Sequence, residues 1–453
     1  LAVAQHLPIE TQTFPALQEA GRAVHGNMII ESIGVYLPPK VVSTQEVLAN
    51  CAVPIRFPLE QLTGIHTRRM AGETEFAFDL AKKAVAHCLA NSKYNPQDID
   101  LLICSSISRY NGPNFHITFE PGTATQLRHA FGFTSALAFD ISNACTGMFS
   151  AMYIVDAFLK AGLIRRALVV SGEYITHLTR TAQQEIEGYM DSRMACLTVG
   201  DAGAAVILDS TSDTNLGFHE FEMYTLGRYY DLCIAKATDK EHGGAIMYTD
   251  SVKVSAVNIQ QAVAHAAHVL ERSGWPHDAF QHIIMHQTSK MTIYDAGREI
   301  NSYFGKEVCH DGNLVNNIAE RANTATTTHV VALMDAILAN RIQSNSNVVF
   351  GITGSGVNIG TAIYTLDDLP DRLRRAATGT WQPEKVQAQR NVGATLAVAQ
   401  SSPAIAHVSL PRTRRVRVAG LGTVPLQAER GATLELVRVA AERCLEASTY
   451  DRN

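Results

Sequence analysis

Short β-branched runs alternating with longer amphipathic stretches constrain this chain most. From Met28 onward the pattern reads "MIIESIGVYLP", "IDLLICSSIS" (98–108), a helix-like "PGTATQLRHAFG" (121–132), "LAFDISN" (137–143), a long helix from Cys145 to about Ala161, and "RALVVSGEY" (166–174). Strands that alternate with helices call for an α/β layered fold. Near residue 200 "VGDAGAAVILDS" places a glycine turn ahead of a further strand, and the logic then repeats. "VSAVNIQQAVAHAAHVLERSGW", "TSKMTIYDAGREINSYFG" and "NTATTTHVVALMDAILAN" read as helices, "HIIMHQ" as a strand end, and "SNVVFGITGSGVNIGTAIYTL" as a strand, a glycine-rich turn and a strand. Each half ends on a glycine turn followed by a small-residue strand. Two similar halves packed together are expected, over 28–210 and 211–372.

The 453 residues leave room for more than one such unit, and 46% hydrophobic with 18% charged residues is an ordinary globular composition. A formal net charge of −5 and the lack of a dense basic run remove nucleic acid from the expected partners. No run approaches the roughly 18–20 apolar residues that span a bilayer, so no membrane span is expected. Eight cysteines at 51, 88, 104, 145, 196, 233, 309 and 444 form no C-x-x-C pair, which suggests neither a zinc site nor a disulfide framework and suits a reducing cytoplasm. No metal is expected.

Residues 1–27 lack the basic start and apolar core of a signal peptide and read as a linker or extension. After about 372 the texture becomes polar and proline-punctuated, a linker over 373–414. Beyond it, "RVRVAGLGTVPL" (415–426) has the form of "MIIESIGVYLPP", and "CLEASTYDRN" (444–453) parallels "CLANSKYNPQ" (88–97). "LAVAQ" stands at 1–5 and again at 396–400. Residues 415–453 thus read as the truncated start of a second copy.

Three polar residues sit at strand-to-helix turns, where layered α/β folds build their sites. Cys145 opens a helix whose dipole favours thiolate. Its bland alternative is a buried structural cysteine. His286 follows the strand end "QHIIM", and Asn323 precedes another helix, where asparagine is an ordinary N-cap. Taken together, a nucleophile, a histidine and an amide form a complete set for acyl-thioester chemistry.

"DISNACTGMFSAM", "MHQTSK", "ANTATTTHVVAL", "VGDAGAAVIL" and "GSGVNIGTAIY" resemble, in order and spacing over about residues 28–368, the β-ketoacyl-acyl-carrier-protein synthase III group of the thiolase superfamily. The resemblance implies a five-layered αβαβα thiolase fold and a homodimer. It also implies a catalytic set at Cys145, His286 and Asn323, with an oxyanion hole from the backbone of Cys145 and Gly356. The implied reaction is a Claisen condensation in fatty-acid or polyketide-type biosynthesis, with acyl-coenzyme A or an acyl carrier protein as thioester partner and no cofactor. "FEPGTA" further resembles the Glu-Pro segment of OleA-type enzymes, in which the glutamate serves the partner subunit as base. That implies the same role for Glu120, with Pro121 in the first turn of a helix. Against the family pattern, "RYNGPNFHIT" is inserted before it. Pro58 and Leu62 also stand where a tryptophan and an arginine usually clasp coenzyme A, which leaves a carrier thioester or a rearranged site using Arg56, Arg68 or Arg69. An acyltransferase of the same fold acting on an oxygen or nitrogen nucleophile, and a non-catalytic partner subunit, are the alternatives.

Overall fold

The computed structural model describes residues 26–188, 190–276 and 279–386. The expected second copy, and the expected linker beyond 386, lie outside them, as do residues 1–25.

The first half begins with β1 (Asn27–Tyr36), β2 (Val41–Ser43), α1 (Thr44–Ala49), α2 (Leu59–Thr63), β3 (Thr67–Arg69) and α3 (Ala77–Asn91). It continues with β4 (Leu101–Cys104), α4 (Thr123–Phe131), β5 (Leu137–Asp140), α5 (Gly147–Lys160), β6 (Ala167–Glu173), α6 (His177–Glu185) and β7 (Ala202–Thr211). The second half contains β8 (Gly217–Thr225), the hairpin β9 (Cys233–Ala237) and β10 (Ala245–Thr249), α7 (Ser251–Ser273), β11 (His282–Met285) and α8 (Lys290–Phe304). It closes with β12 (Leu314–Val315), α9 (Ile318–Arg321), α10 (Thr328–Leu338), β13 (Asn347–Gly354), β14 (Asn358–Thr365) and α11 (Leu369–Ala377).

Two five-stranded sheets result, with orders β1-β7-β6-β4-β5 and β8-β14-β13-β11-β12. In each, the first two pairings are antiparallel and the last two parallel, so the halves share one topology. The expected duplication is therefore present in the strand order itself. Helices α3 and α4 cover the outer face of the first sheet, and α7 packs with α8 on the outer face of the second. Between the sheets, α5 and α10 each touch both, which makes five layers, αβαβα.

The central layer holds the largest core. Met148, Phe149, Met152 and Val155 of α5 and Val330, Leu333, Met334 and Ile337 of α10 are all buried against strands of both sheets. Each such side chain contributes about 1.5–3 kcal/mol by leaving water. α10 is buried almost all round, as befits a helix inside a layered fold, whereas α5 leaves Tyr153, Ala157 and Lys160 exposed along one side.

Two boundaries differ from expectation. The folded unit runs past 372: α11 buries Leu369 and Leu373, Arg372 donates to the Glu31 carbonyl at 2.9 Å, and Arg374 to that of Ile342 at 2.9 Å. The arginines that made this stretch look like linker are ties to the body. Further on, the Lys385 ammonium donates to the carbonyls of Leu89 and Ser92 at 2.7 and 2.8 Å. Second, α4 begins at Thr123, so Pro121 precedes the helix and is not in its first turn. The start is fixed by Asp140, whose carboxylate accepts the Thr123 and Ala124 N–H groups at 2.9 and 2.7 Å.

The outer helix α3 sits directly on backbone. A Cβ on Gly34 of β1 would come within 2.3 Å of the Ala84 carbonyl oxygen, one on Gly172 of β6 within 2.1 Å of that of Ala77, and one on Gly203 of β7 within 2.1 Å of that of Leu80. Gly203, in "GDAGAAVIL", is thus a helix-packing residue inside a strand. The variant Gly203→Val is expected to destabilise the fold by about 3 kcal/mol, read as a lowered thermal midpoint by circular dichroism. An unchanged midpoint would show that α3 rides higher on the sheet than described.

Candidate active site

Cys145 lies on a tight turn between β5 and α5. Ala144 takes a left-handed backbone conformation (φ 44°), and a single 3-10 turn, Ala144–Thr146, leads into the helix. Thr146 locks it: its N–H and its hydroxyl both donate to the Asn143 carbonyl, at 3.1 and 2.7 Å. Gly147 admits no side chain because a Cβ there would lie 2.9 Å from the Ser105 carbonyl oxygen and 3.0 Å from a Thr326 methyl.

The Asn323 segment is built the same way. Ala325 is left-handed (φ 53°), a 3-10 turn Ala325–Thr327 leads into α10, and Thr327 donates through its N–H and hydroxyl to the Thr324 carbonyl at 3.2 and 2.8 Å. Thr326 is therefore the counterpart of Cys145 in the other half, and the two turns pack on each other. Backbone bonds to the first half hold Asn323: its N–H donates to the Thr198 carbonyl at 3.1 Å, and its carbonyl accepts the Gly200 N–H at 3.0 Å. Its side-chain oxygen accepts the Ala325 N–H at 3.0 Å in a local turn; the N-cap position is Thr324, so Asn323 is not the helix cap expected from the sequence. That bond orients the amide and uses only its oxygen.

His286 follows β11 and is buried. Its N–H donates to the Gly351 carbonyl at 3.1 Å, and its ring stacks against that of His329 with centroids 5.9 Å apart. His329 also hydrogen-bonds the Gly351 carbonyl, through Nε2 at 3.0 Å. Since a carbonyl only accepts, His329 carries its proton on Nε2. The next residue, Gln287, is fully buried and ties the ends of β11 and β12 together through the Met285 and Val315 carbonyls.

The end of β13 closes the arrangement. A Cβ on Gly354 would lie 3.4 Å from the Cys145 nitrogen, so this strand end reaches the Cys145 turn while Gly351, three residues earlier, holds His286. Gly356 follows in the turn to β14 with φ 126°, a conformation open to glycine. The loops bearing Cys145, His286, Asn323 and Gly356 are thus brought to one place.

Glu120 is placed differently. It is exposed on the loop before α4, its carboxylate accepting the Gly122 N–H at 3.2 Å, beside a Phe119 that is 78% exposed. Of the three arginines considered for coenzyme A, Arg68 is fully buried and reaches the Leu197 carbonyl and the Thr44 hydroxyl, so it cannot face a ligand. Arg69 donates to the Pro38 and Pro39 carbonyls at 3.2 and 3.1 Å, while Arg56 is exposed. Pro58 is exposed ahead of α2, which packs on the start of α8.

The electrostatics reverse one expectation. Burial pushes the Cys145 thiol up to about 12, with further repulsion from Cys233 and Glu173. Desolvation outweighs the helix dipole, whose effect is confined to about one turn. Burial likewise holds His286 down to about 3, helped by His329, and His329 itself down to about 4. The free site therefore contains a thiol and two neutral imidazoles at neutral pH.

Sequence reasoning missed Glu173. It ends β6, is fully buried, and accepts the N–H groups of Ile107 and Ser108 at 2.9 and 3.1 Å and the hydroxyls of Ser171 and Thr326 at 2.9 and 2.5 Å. Burial raises its pKa, opposed by these four donors. A lone carboxylate closing the apolar run "ALVVSGE" was the available signal.

Residues 139–227 match the family described as 3-oxoacyl-[acyl-carrier-protein] synthase III. A β-ketoacyl-[acyl-carrier-protein] synthase III of Aliarcobacter butzleri is 24% identical over 342 residues, 74% of this chain and 96% of the relative. That of Ehrlichia canis is 25% identical over 340 residues, 75% of this chain and 99% of the relative. Among solved structures, 3-oxoacyl-(acyl carrier protein) synthase III, FabH, of Pseudomonas aeruginosa superposes with a TM-score of 0.63 at 22% identity, covering 76% of this chain and 99% of that one. An OleA variant of Xanthomonas campestris does so with a TM-score of 0.64 at 20% identity, covering 75% and 98%. The shared fold is the thiolase fold.

A thiol raised to about 12 is protonated across the neutral range, so only a small, pH-dependent fraction reacts. Alkylation of Cys145 by iodoacetamide, scored against Cys145→Ala, is expected to accelerate about tenfold per pH unit from 7 to 9.5 with no plateau. A plateau below pH 8 would mean that a thiolate is already stabilised in the free protein.

Proposed function

We propose that this chain, a β-ketoacyl synthase III-like protein of the thiolase superfamily, performs a Claisen condensation between an acyl group carried on Cys145 and a second thioester. The observation that carries this reading is the convergence of the Cys145 turn, the end of β13, His286 and Asn323 at one desolvated place.

In the first half-reaction the Cys145 sulfur attacks the acyl carbonyl. The tetrahedral oxyanion takes hydrogen bonds from the Cys145 and Gly356 N–H groups. Collapse expels the donor thiol, which leaves with the proton that the cysteine loses. In the second, a carbanion equivalent forms on the incoming thioester by loss of an α-proton or of carbon dioxide. Its enolate oxygen accepts from His286 Nε2–H and the Asn323 amide, its carbon attacks the acyl carbonyl, and the Cys145 thiolate departs and regains a proton. A neutral His286 suits this role, because one ring nitrogen donates without the cost of a buried charge. No step transfers electrons to or from a cofactor, and none requires a metal.

Proton abstraction needs a base, and Glu120 supplies it in this reading. An exposed carboxylate beside a largely exposed Phe119 fits a loop that a second copy of the chain covers, so the glutamate serves the partner's site in a homodimer. With Arg68 buried and Arg69 engaged by backbone carbonyls, a carrier-protein thioester is the favoured form of at least one substrate. Cysteines that stand unpaired among the described residues support a reducing cytoplasm as the enzyme's compartment.

Intact-protein mass spectrometry after exposure to acyl-coenzyme A and acyl-carrier thioesters is expected to show one acyl mass on the wild type and none on Cys145→Ala. With product formation followed alongside, His286→Ala and Asn323→Ala should still be acylated but lose condensation by roughly a hundred- to thousandfold. Glu120→Gln should be acylated and fail only with an extender that must lose a proton. Acylation without any carbon–carbon product would indicate transfer to an oxygen or nitrogen nucleophile. No acylation by any donor would remove the enzymatic reading in favour of a partner subunit.

A further inference from the structure

The central helix α10 buries an imidazole in apolar company. Val330, Leu333, Met334 and Ile337 of the same helix are core residues, while His329, 1% exposed, leaves Nδ1 without a hydrogen-bond partner among the described residues. An apolar side chain of similar volume would fill the place without stranding a polar atom.

The His329 ring is pinned to the sheet. β13 lies between β11 and β14, and its Gly351 carbonyl accepts both the His286 backbone N–H at 3.1 Å and the His329 Nε2–H at 3.0 Å. One fixed oxygen thereby holds the backbone of one histidine and the side chain of the other. Phe149 of α5 meets the His329 ring edge-on, with centroids 5.0 Å apart and planes at 74°. The His286 ring stacks on it at 5.9 Å and 24°, within the range of favourable aromatic pairs. Burial keeps both rings neutral at neutral pH, so no repulsion between imidazolium ions opposes the stack.

His286 needs such a support. A histidine that turns one ring nitrogen to the substrate ordinarily has the other held by a carbonyl or carboxylate, which sets the position of the proton and the plane of the ring. Here Nδ1 of His286 has no partner among the described residues. What its ring meets instead is a second imidazole whose own orientation is fixed by a hydrogen bond.

Resting on the condensation reading above, we propose that His329 is a positioning residue for His286, its pinned ring standing in for the missing Nδ1 hydrogen bond and holding the His286 imidazole with Nε2 toward the enolate. The role belongs to the aromatic face of His329, and its Nε2–H serves to fix that face. Acylation, which uses the Cys145 and Gly356 N–H groups, takes nothing from His286. Only the second half-reaction therefore depends on the stack.

Substitutions at one position separate ring from donor: His329→Leu removes both, His329→Phe keeps the ring, and His329→Gln keeps a donor for Gly351. His329→Leu and His329→Gln are expected to acylate Cys145 within about twofold of the wild-type rate and to lose condensation about ten- to a hundredfold, with His329→Phe recovering most of that loss. In a His286→Ala background, His329→Leu should cost condensation less than about twofold more, since its effect passes through a ring already removed. Equal losses in acylation and condensation, recovery by His329→Gln and not by His329→Phe, or a loss that adds in full to that of His286→Ala overturns the assignment. Where circular dichroism shows a His329 variant unfolded, nitrogen-15 spectra of the histidine-labelled wild type decide, the His286 signals being those absent from His286→Ala. A single Nε2–H tautomer is expected at His286, and a signal averaged over both tautomers overturns the assignment. Absence of an acyl mass on wild-type Cys145, with that single tautomer present, would defeat the condensation reading alone.

Discussion

The site depends on one desolvated carboxylate. Glu173, at the end of a strand buried on both faces, has no cation within hydrogen-bond reach among the described residues and is held by four donors from three separate segments. One of these, the Thr326 hydroxyl, belongs to the turn that begins α10, three residues beyond Asn323. Stripping a carboxylate of water is costly unless its acceptor sites are filled, so each donor is held in place by the penalty of leaving it. Thus the first half of the molecule positions a loop of the second, and the same negative group adds to the pressure that keeps the neighbouring thiol protonated.

Duplication explains why the site forms where it does. Both sheets have one strand order, and in both a left-handed alanine, a 3-10 turn and a threonine clamp lead into a central helix. The two central helices therefore begin back to back. The end of β13 meets the Cys145 turn, and the end of β6, through Glu173, meets the Thr326 turn. At equivalent places one half presents a sulfur and the other a hydroxyl already engaged to a carboxylate. The two halves share geometry and divide the chemistry.

Much of this was legible in the chain. Alternating strand and helix patterns, the repeated glycine turns and the placement of Cys145 and His286 at strand ends were all local signals, and the layered architecture followed from them; Asn323 instead follows the short helix α9, so its turn joins two helices. What escaped were properties set by tertiary contact. The helix dipole at Cys145 was visible in sequence, while the burial that overrides it depends on β13 and Thr326 arriving from far along the chain. Gly203 looked like part of a turn because the backbone of α3 above it cannot be read from "GDAGAAVIL". Arg68 was open to a role in coenzyme A binding and is fully buried. The polar texture after 372 looked like linker because the partners of Arg372 and Arg374, the carbonyls of Glu31 and Ile342, are distant in sequence.

The protonation states follow from a single cause. Burial raises the thiol and lowers both imidazoles, so every titratable group at the centre is driven toward its neutral form. Beside the buried Glu173, such a site holds a neutral thiol and two neutral imidazoles until a substrate enters. In the proposed condensation, charge develops on the reacting oxygens, and a low dielectric makes each hydrogen bond to them stronger than it would be in water. Desolvation makes the resting thiol a poor nucleophile, but it strengthens the stabilisation of both oxyanions. The arrangement therefore favours catalysis at the transition state over reactivity in the free protein, and that ordering follows from placing the site between two sheets.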